Sequence, residues 1–159
     1  MLQQLTVENY TLIRHLSVGF KKGFTVITGE TGAGKSILIG ALSLILGQRA
    51  DSNVLLDKNT KCIIEGVFEG KPYQLQPFFS TNDLDYDDTI ILRREISPAG
   101  KSRAFINDTP VNLNLMRALG EKLVDIHSQH AILTLNDPAF QLNIADEYAG
   151  HMQVLKQYL

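Results

Sequence analysis

The chain holds one cysteine, Cys62, in 159 residues. A lone thiol cannot close an internal disulfide or complete a cysteine-based zinc cage, which excludes oxidised scaffolds and zinc ribbons and fits a reducing, cytoplasmic setting. Charge of one sign is also scarce. Fifteen basic against 17 acidic residues leave a net charge of -2, which argues against a domain that holds nucleic acid by bulk electrostatics alone. No apolar run approaches the roughly 20 residues of a membrane span, and MLQQLTVENY lacks the basic and apolar regions of a signal peptide. Internal repeats and low-complexity linkers are absent as well. What remains is an ordinary globular composition, 44% hydrophobic and 20% charged, long enough for one domain or one lobe of a larger one.

Periodicity divides the chain into elements. Leu5 and Val7 alternate, as do Leu16, Val18 and Phe20, and Lys21-Lys22-Gly23 supplies a turn, so the first 28 residues read as strands. Phe24 to Thr28 reads as a short buried strand. Ile37 to Leu46 is apolar on nearly every side of a helix, which places that helix inside the protein, with Gly47 as its stop. Cys62 to Phe68, Thr89 to Ile96 and Arg103 to Ile106 read as further strands, the last two joined through the turn SPAG. They predict an antiparallel hairpin region beside a nucleotide unit. Asn112 to Lys122 has helical spacing, Leu123 to His127 reads as a strand, and Asp137-Pro138 starts a final helix that runs toward Leu159 with a break at Gly150.

Between the Phe24–Thr28 segment and the apolar helix stands Gly29-Glu30-Thr31-Gly32-Ala33-Gly34-Lys35-Ser36, a full match to G-x-x-x-x-G-K-[ST] in a strand-to-helix context. Glycines let successive N–H groups turn toward phosphate oxygens, and the helix start adds its positive dipole end. In this pattern Lys35 reaches the β- and γ-phosphates and the Ser36 hydroxyl ligates Mg²⁺. The motif predicts an α/β fold of the P-loop NTPase type and nucleotide binding, with ATP and Mg²⁺ as the cofactors.

A second signal is missing. ATP hydrolysis needs an acidic residue for Mg²⁺ at the end of another buried strand. Val54-Leu55-Leu56-Asp57 has the form but lies too soon after the P-loop helix, among polar loop residues. In Leu123-Val124-Asp125 the predicted strand continues past the acid. Neither is a convincing Walker B residue, so the chain reads as half of a catalytic unit.

The opening LTVENYTLIRHLSVGF, the loop GETGAGKS, LILGQRAD, LRREISPAGKSRAFINDTPV and VDIHSQH together resemble the N-terminal head segment of the RecN family of bacterial DNA repair proteins. RecN proteins are relatives of SMC proteins with an ABC-type ATPase head. The resemblance covers essentially the whole chain. It implies a split head: an N-terminal lobe with Walker A and the Q-loop, then a long coiled coil, then a C-terminal lobe with the signature motif, Walker B and catalytic glutamate. On that reading residues 1–136 are the N-terminal lobe and 137–159 the helix leading toward the coiled coil. Gln129 matches the Q-loop glutamine that approaches Mg²⁺ and the attacking water, so Lys35 and Gln129 are the candidate catalytic residues, and Ser36 and Gln129 the candidate metal ligands. The implied partners are DNA, the C-terminal lobe of the same chain and a second head in a homodimer, in a cytoplasmic, nucleoid-associated protein. The implied function is ATP-driven head closure that holds or joins DNA during double-strand break repair and recombination. One departure stands out. Where the family and SMC heads tend to carry an arginine after the first helix, this chain has Leu56, with Arg49 nearby but out of register.

Weaker signals have ordinary explanations. His127 and His130 lack further metal ligands in sequence reach and lie outside helical i, i+4 geometry, so they read as structural. Arg93, Arg94, Lys101 and Arg103 could touch DNA phosphates or simply keep a strand edge soluble. Tyr73, Phe78 and Phe79 read as packing residues. Two other functions stay open at this point: a self-contained P-loop kinase acting on a small molecule, with Asp57 or Asp125 as its Mg²⁺ carboxylate, and a non-catalytic DNA-binding or assembly module.

Overall fold

A computed structural model describes residues 1–29, 34–50, 52–126, 141–142, 145 and 148–149. Two compact units divide the chain, Met1–Val124 and Asp125–Leu159, and each is taken by itself.

The first unit is built on strands β1 (Leu2–Tyr10), β2 (Ile13–Gly19), β3 (Cys62–Glu69), β4 (Thr89–Ile96), β5 (Ser102–Ile106) and β6 (Thr109–Val111). They form one antiparallel sheet in the order β2-β1-β3-β4-β5-β6. Alternation fixes its two faces. Cys62, Ile64, Gly66 and Phe68 of β3 and Ile90, Leu92, Arg94 and Ile96 of β4 are buried, while the alternate residues between them are half-exposed. The hairpin region expected from residues 62–106 is present, with Ser97 to Lys101 as its loop.

Helices α1 (Lys35–Ile45), α2 (Gln76–Thr81) and α3 (Leu113–Leu123) complete the unit. Helix α1 packs on β1, β3 and β4, and α3 on β5. The C-terminus of α1 closes as a Schellman motif: Gln48 N–H donates to Ser43 O at 3.0 Å and Gly47 N–H to Leu44 O at 3.3 Å. Gly47 is needed there twice over, for its φ of +88° and because a Cβ would lie 2.7 Å from the Arg117 backbone of α3. Asn112 caps α3 by accepting from Leu115 N–H at 2.9 Å.

Three expectations are corrected. Phe24 to Thr28 is not a buried strand: no ladder partner lies beside it among the described residues, and Phe24 is 94% exposed and Val26 63%. An apolar run becomes a central strand only when neighbours pair with it, and the six strands of the antiparallel sheet pair without using this one. The strand read over Leu123 to His127 is not found among the described residues either: Leu123 ends α3, 124–126 join no strand, and His127 lies outside the described residues. Helix α1 is only partly internal: Ala41, Leu44 and Ile45 are buried, but Ile39 is 53% exposed. In the second unit Gln141, Leu142, Ala145 and Tyr148 are helical, as expected for the final helix, whose start at Asp137-Pro138 lies outside the described residues.

Candidate nucleotide-binding site

Gly34 is the hinge between loop and helix. Its φ of +95° and ψ of -7° are left-handed, and a Cβ there would meet nothing within 4 Å, so the backbone angle and not crowding demands glycine. The first helical bond, Leu38 N–H to Gly34 O, is 3.0 Å long. Among the described residues no side chain caps the helix, and its first turn holds no acidic residue. The main-chain N–H groups of that turn lie at the positive end of the helix, an arrangement that suits a phosphate.

Lys35 Nζ donates to the carbonyl oxygen of Gly29, so the ammonium spans the two ends of the GETGAGKS loop. The Ser36 side chain starts from the same turn. These residues fit a nucleotide's phosphates and a hard cation: one helix start supplies an ammonium, a hydroxyl and main-chain donors, with no carboxylate in its first turn to repel a phosphate. Glu30, Thr31, Gly32, Ala33 and Gln129 lie outside the described residues, as do His127 and His130.

Other sequence candidates sit elsewhere. The Asp57 carboxylate accepts from Asn59 N–H at 2.9 Å, so it closes a local Asx turn and does not end a buried strand. Asp125 lies just past α3. The basic residues of the hairpin do not form one patch. Arg94 is 1% exposed on the core face, opposite Ile64 and Ala104, and burial lowers its pKa. Its neighbour Arg93 is on the other face, 3.7 Å from Glu95 and 4.7 Å from the centre of the Phe105 ring. Period-2 alternation alone separates them. Phe79 is fully buried and meets Phe78 and Tyr86 edge to face at 6.0 and 5.4 Å, and Tyr73 packs on the same core.

An apolar groove runs beside the P-loop helix. Leu2, Leu5, Val18 and Phe20 line one wall, and Leu38, Ile39 and Leu42 of α1 the other, with Ile27 at its mouth. Exposed Phe24 and Val26 belong to the same segment as Ile27. Their apolar run was the available signal, and only its partner was misjudged.

The sequence profile of the AAA domain family matches residues 4–148. The chain belongs to this family. This AAA domain is similar to the DNA repair protein RecN of Vibrio cholerae, 41% identical over 157 residues, which cover 98% of the chain and 28% of that protein. RecN of Bacillus subtilis is 38% identical over 154 residues, covering 94% of the chain and 26% of the relative. The chain thus spans little more than a quarter of the length of these relatives. The resemblance to the RecN family read from the residues holds along nearly the whole domain.

Solved structures place the fold. A chain described under "Structural biochemistry of ATP-driven dimerization and DNA stimulated activation of SMC ATPases" superposes with a TM-score of 0.64 at 19% identity, covering 92% of this AAA domain and 98% of that chain. The Smc head domain of Pyrococcus furiosus with an extended coiled coil gives 0.62 at 20% identity, covering 76% of the domain and 32% of that chain. The AAA domain therefore has the α/β fold of an SMC head, with its antiparallel sheet beside the P-loop helix. Among the described residues no group of three metal-ligating side chains occurs, and no helix is long and apolar enough to cross a membrane.

Proposed function

We propose that this chain is the ATP-binding lobe of an SMC-like ATPase that acts in DNA double-strand break repair and recombination. The observation that carries the proposal is the start of α1 directly after a left-handed Gly34, with Lys35 reaching across to Gly29, inside the sequence GETGAGKS. Gly29 to Ser36 bind the phosphates of ATP. Lys35 neutralises charge on the β- and γ-phosphates, and the Ser36 hydroxyl and the Gln129 amide oxygen hold the metal site, with Gln129 also oriented toward the attacking water. Mg²⁺ bound there would offset charge on the triphosphate. The RecN likeness supports the repair role, and residues 1–136 as the lobe and 137–159 as the helix toward a coiled coil.

The Walker B and catalytic carboxylates come from a C-terminal lobe of the same longer polypeptide, and a second head in a homodimer closes over the nucleotide. Closure and opening then hold or join DNA in a cytoplasmic, nucleoid-associated protein. The exposed Phe24, Val26 and Ile27 support this split head, since they are the apolar side chains a completing lobe would cover. Nothing favours a self-contained kinase, whose candidate Asp57 is engaged in its own turn. The test is steady-state ATP hydrolysis: the 159 residues alone should turn over negligibly, and the full-length protein measurably. Multiple turnovers by the 159 residues, abolished by Lys35→Ala, would overturn the split-head reading.

A further inference from the structure

Strain and hydrogen bonding concentrate at one place away from the phosphate loop, the end of β1. Asn9 and Thr11 flank Tyr10 with φ of +52° and +49°, left-handed values that asparagine tolerates and β-branched threonine rarely adopts. Thr11 also leaves its buried hydroxyl without a hydrogen-bond partner among the described residues. Such strain persists only where the surroundings over-determine it.

Those surroundings are the loop that follows α1. Asn9 is 8% exposed and uses its whole amide on it: Nδ2 donates to Asp57 O at 2.9 Å and to Thr60 O at 2.8 Å, and Oδ1 accepts from Asp57 N–H at 2.6 Å. Thr11 N–H donates to Val54 O at 2.6 Å, and Tyr10 bridges Leu55. Tyr10 itself turns the other way. A Cβ on Gly40 of α1 would lie 2.8 Å from Tyr10 Oη, so the tyrosine is seated against the helix backbone just over one turn past Ser36. The glycine inside an otherwise apolar helix run is explained by this contact.

We infer that Asn9 is a positioning residue that fixes the loop 54–60 to the P-loop helix, with Tyr10 as the other half of the link. The loop then presents Leu56, Asp57 and Lys58 at a set height relative to the nucleotide site. They line a cleft shared with Arg14. Asparagine suits the position because one short side chain supplies both donors and the acceptor and accepts the left-handed backbone. The inference rests on the proposed nucleotide binding only in its last step, the linkage between phosphate site and loop.

The experiment is amide hydrogen exchange on the full-length protein, with Mg-ATP affinity measured separately by calorimetry. Asn9→Gly keeps the backbone angle and removes the clamp, and Asn9→Asp keeps the acceptor for the Asp57 amide. Exchange at Asp57 should rise about tenfold or more in Asn9→Gly and likewise in Asn9→Asp, whose second carboxylate oxygen would face the Asp57 and Thr60 carbonyls to which Nδ2 donates, while the Thr11 amide changes little. Mg-ATP should slow Asp57 exchange in the native protein and not in Asn9→Gly. Unchanged Asp57 exchange in Asn9→Gly would overturn the clamp, and native-like exchange in Asn9→Asp, which fills the same space without the donors, would reduce Asn9 to a space-filling role and overturn it too. Tight Mg-ATP binding with no effect on native Asp57 exchange would overturn the linkage. Absence of Mg-ATP binding would instead count against the proposed function and leave the clamp to be judged by the nucleotide-free exchange.

Discussion

Gly34 and Lys35 do different work at the same turn, and substitutions separate it. Gly34→Ala puts a Cβ on a φ of +95° in open space, so its cost is backbone strain, about 1 kcal/mol or more. Chemical denaturation should register that loss together with weaker nucleotide binding. Lys35→Ala should leave the fold within about 0.5 kcal/mol of native, since Lys35 is not a core residue, while removing most nucleotide affinity. Equal stability loss in both would mean that Lys35 is holding the loop rather than awaiting phosphate. Cys62 offers a pH test. Burial pushes its thiol up to about 12, so the folded protein keeps the proton that the unfolded chain releases near 9. Stability from this group is intact below 9 and is lost as pH rises toward 12. Thiol reagents at pH 8 should therefore label Cys62 only after unfolding, and rapid labelling of native protein would contradict its burial.

At the level of elements, capping and alternation were the readable part. The stop at Gly47 was read from the sequence, whereas Asn112, read as part of its helix, is the cap, and Asn112→Ala should cost about 1 kcal/mol in denaturant titration. Strands β3, β4 and β5 were legible to within a residue because each carries an in-out pattern over five to eight positions. Three-residue β6 and six-residue α2 were not, since neither is long enough to show a period. Phe24 to Thr28 and the described part of Leu123 to His127 failed for another reason. Apolar content says that a segment wants burial, but whether it becomes a strand depends on what pairs with it. Val26→Asp should accordingly leave the stability of the 159 residues nearly unchanged and destabilise the full-length protein, as paired melting curves would report.

For the molecule as a whole, the P-loop was legible because its chemistry is local: two glycines, a lysine and a serine at fixed spacing need only a helix start behind them. The six-stranded order and the seating of α1 on it were not, because they follow from long-range pairing such as Tyr10 against Gly40. The lack of a convincing Walker B acid in the sequence and the apolar groove beside α1 both fit the proposed head shared between distant stretches of polypeptide. Calorimetric titration of the full-length protein with Mg-ATP, native against Lys35→Ala, tests the central claim most directly. Saturable binding at one site per head in the native protein, lost in the variant, is the expected result. Equal binding by both proteins, or none by either, would contradict a phosphate cradle at the start of α1.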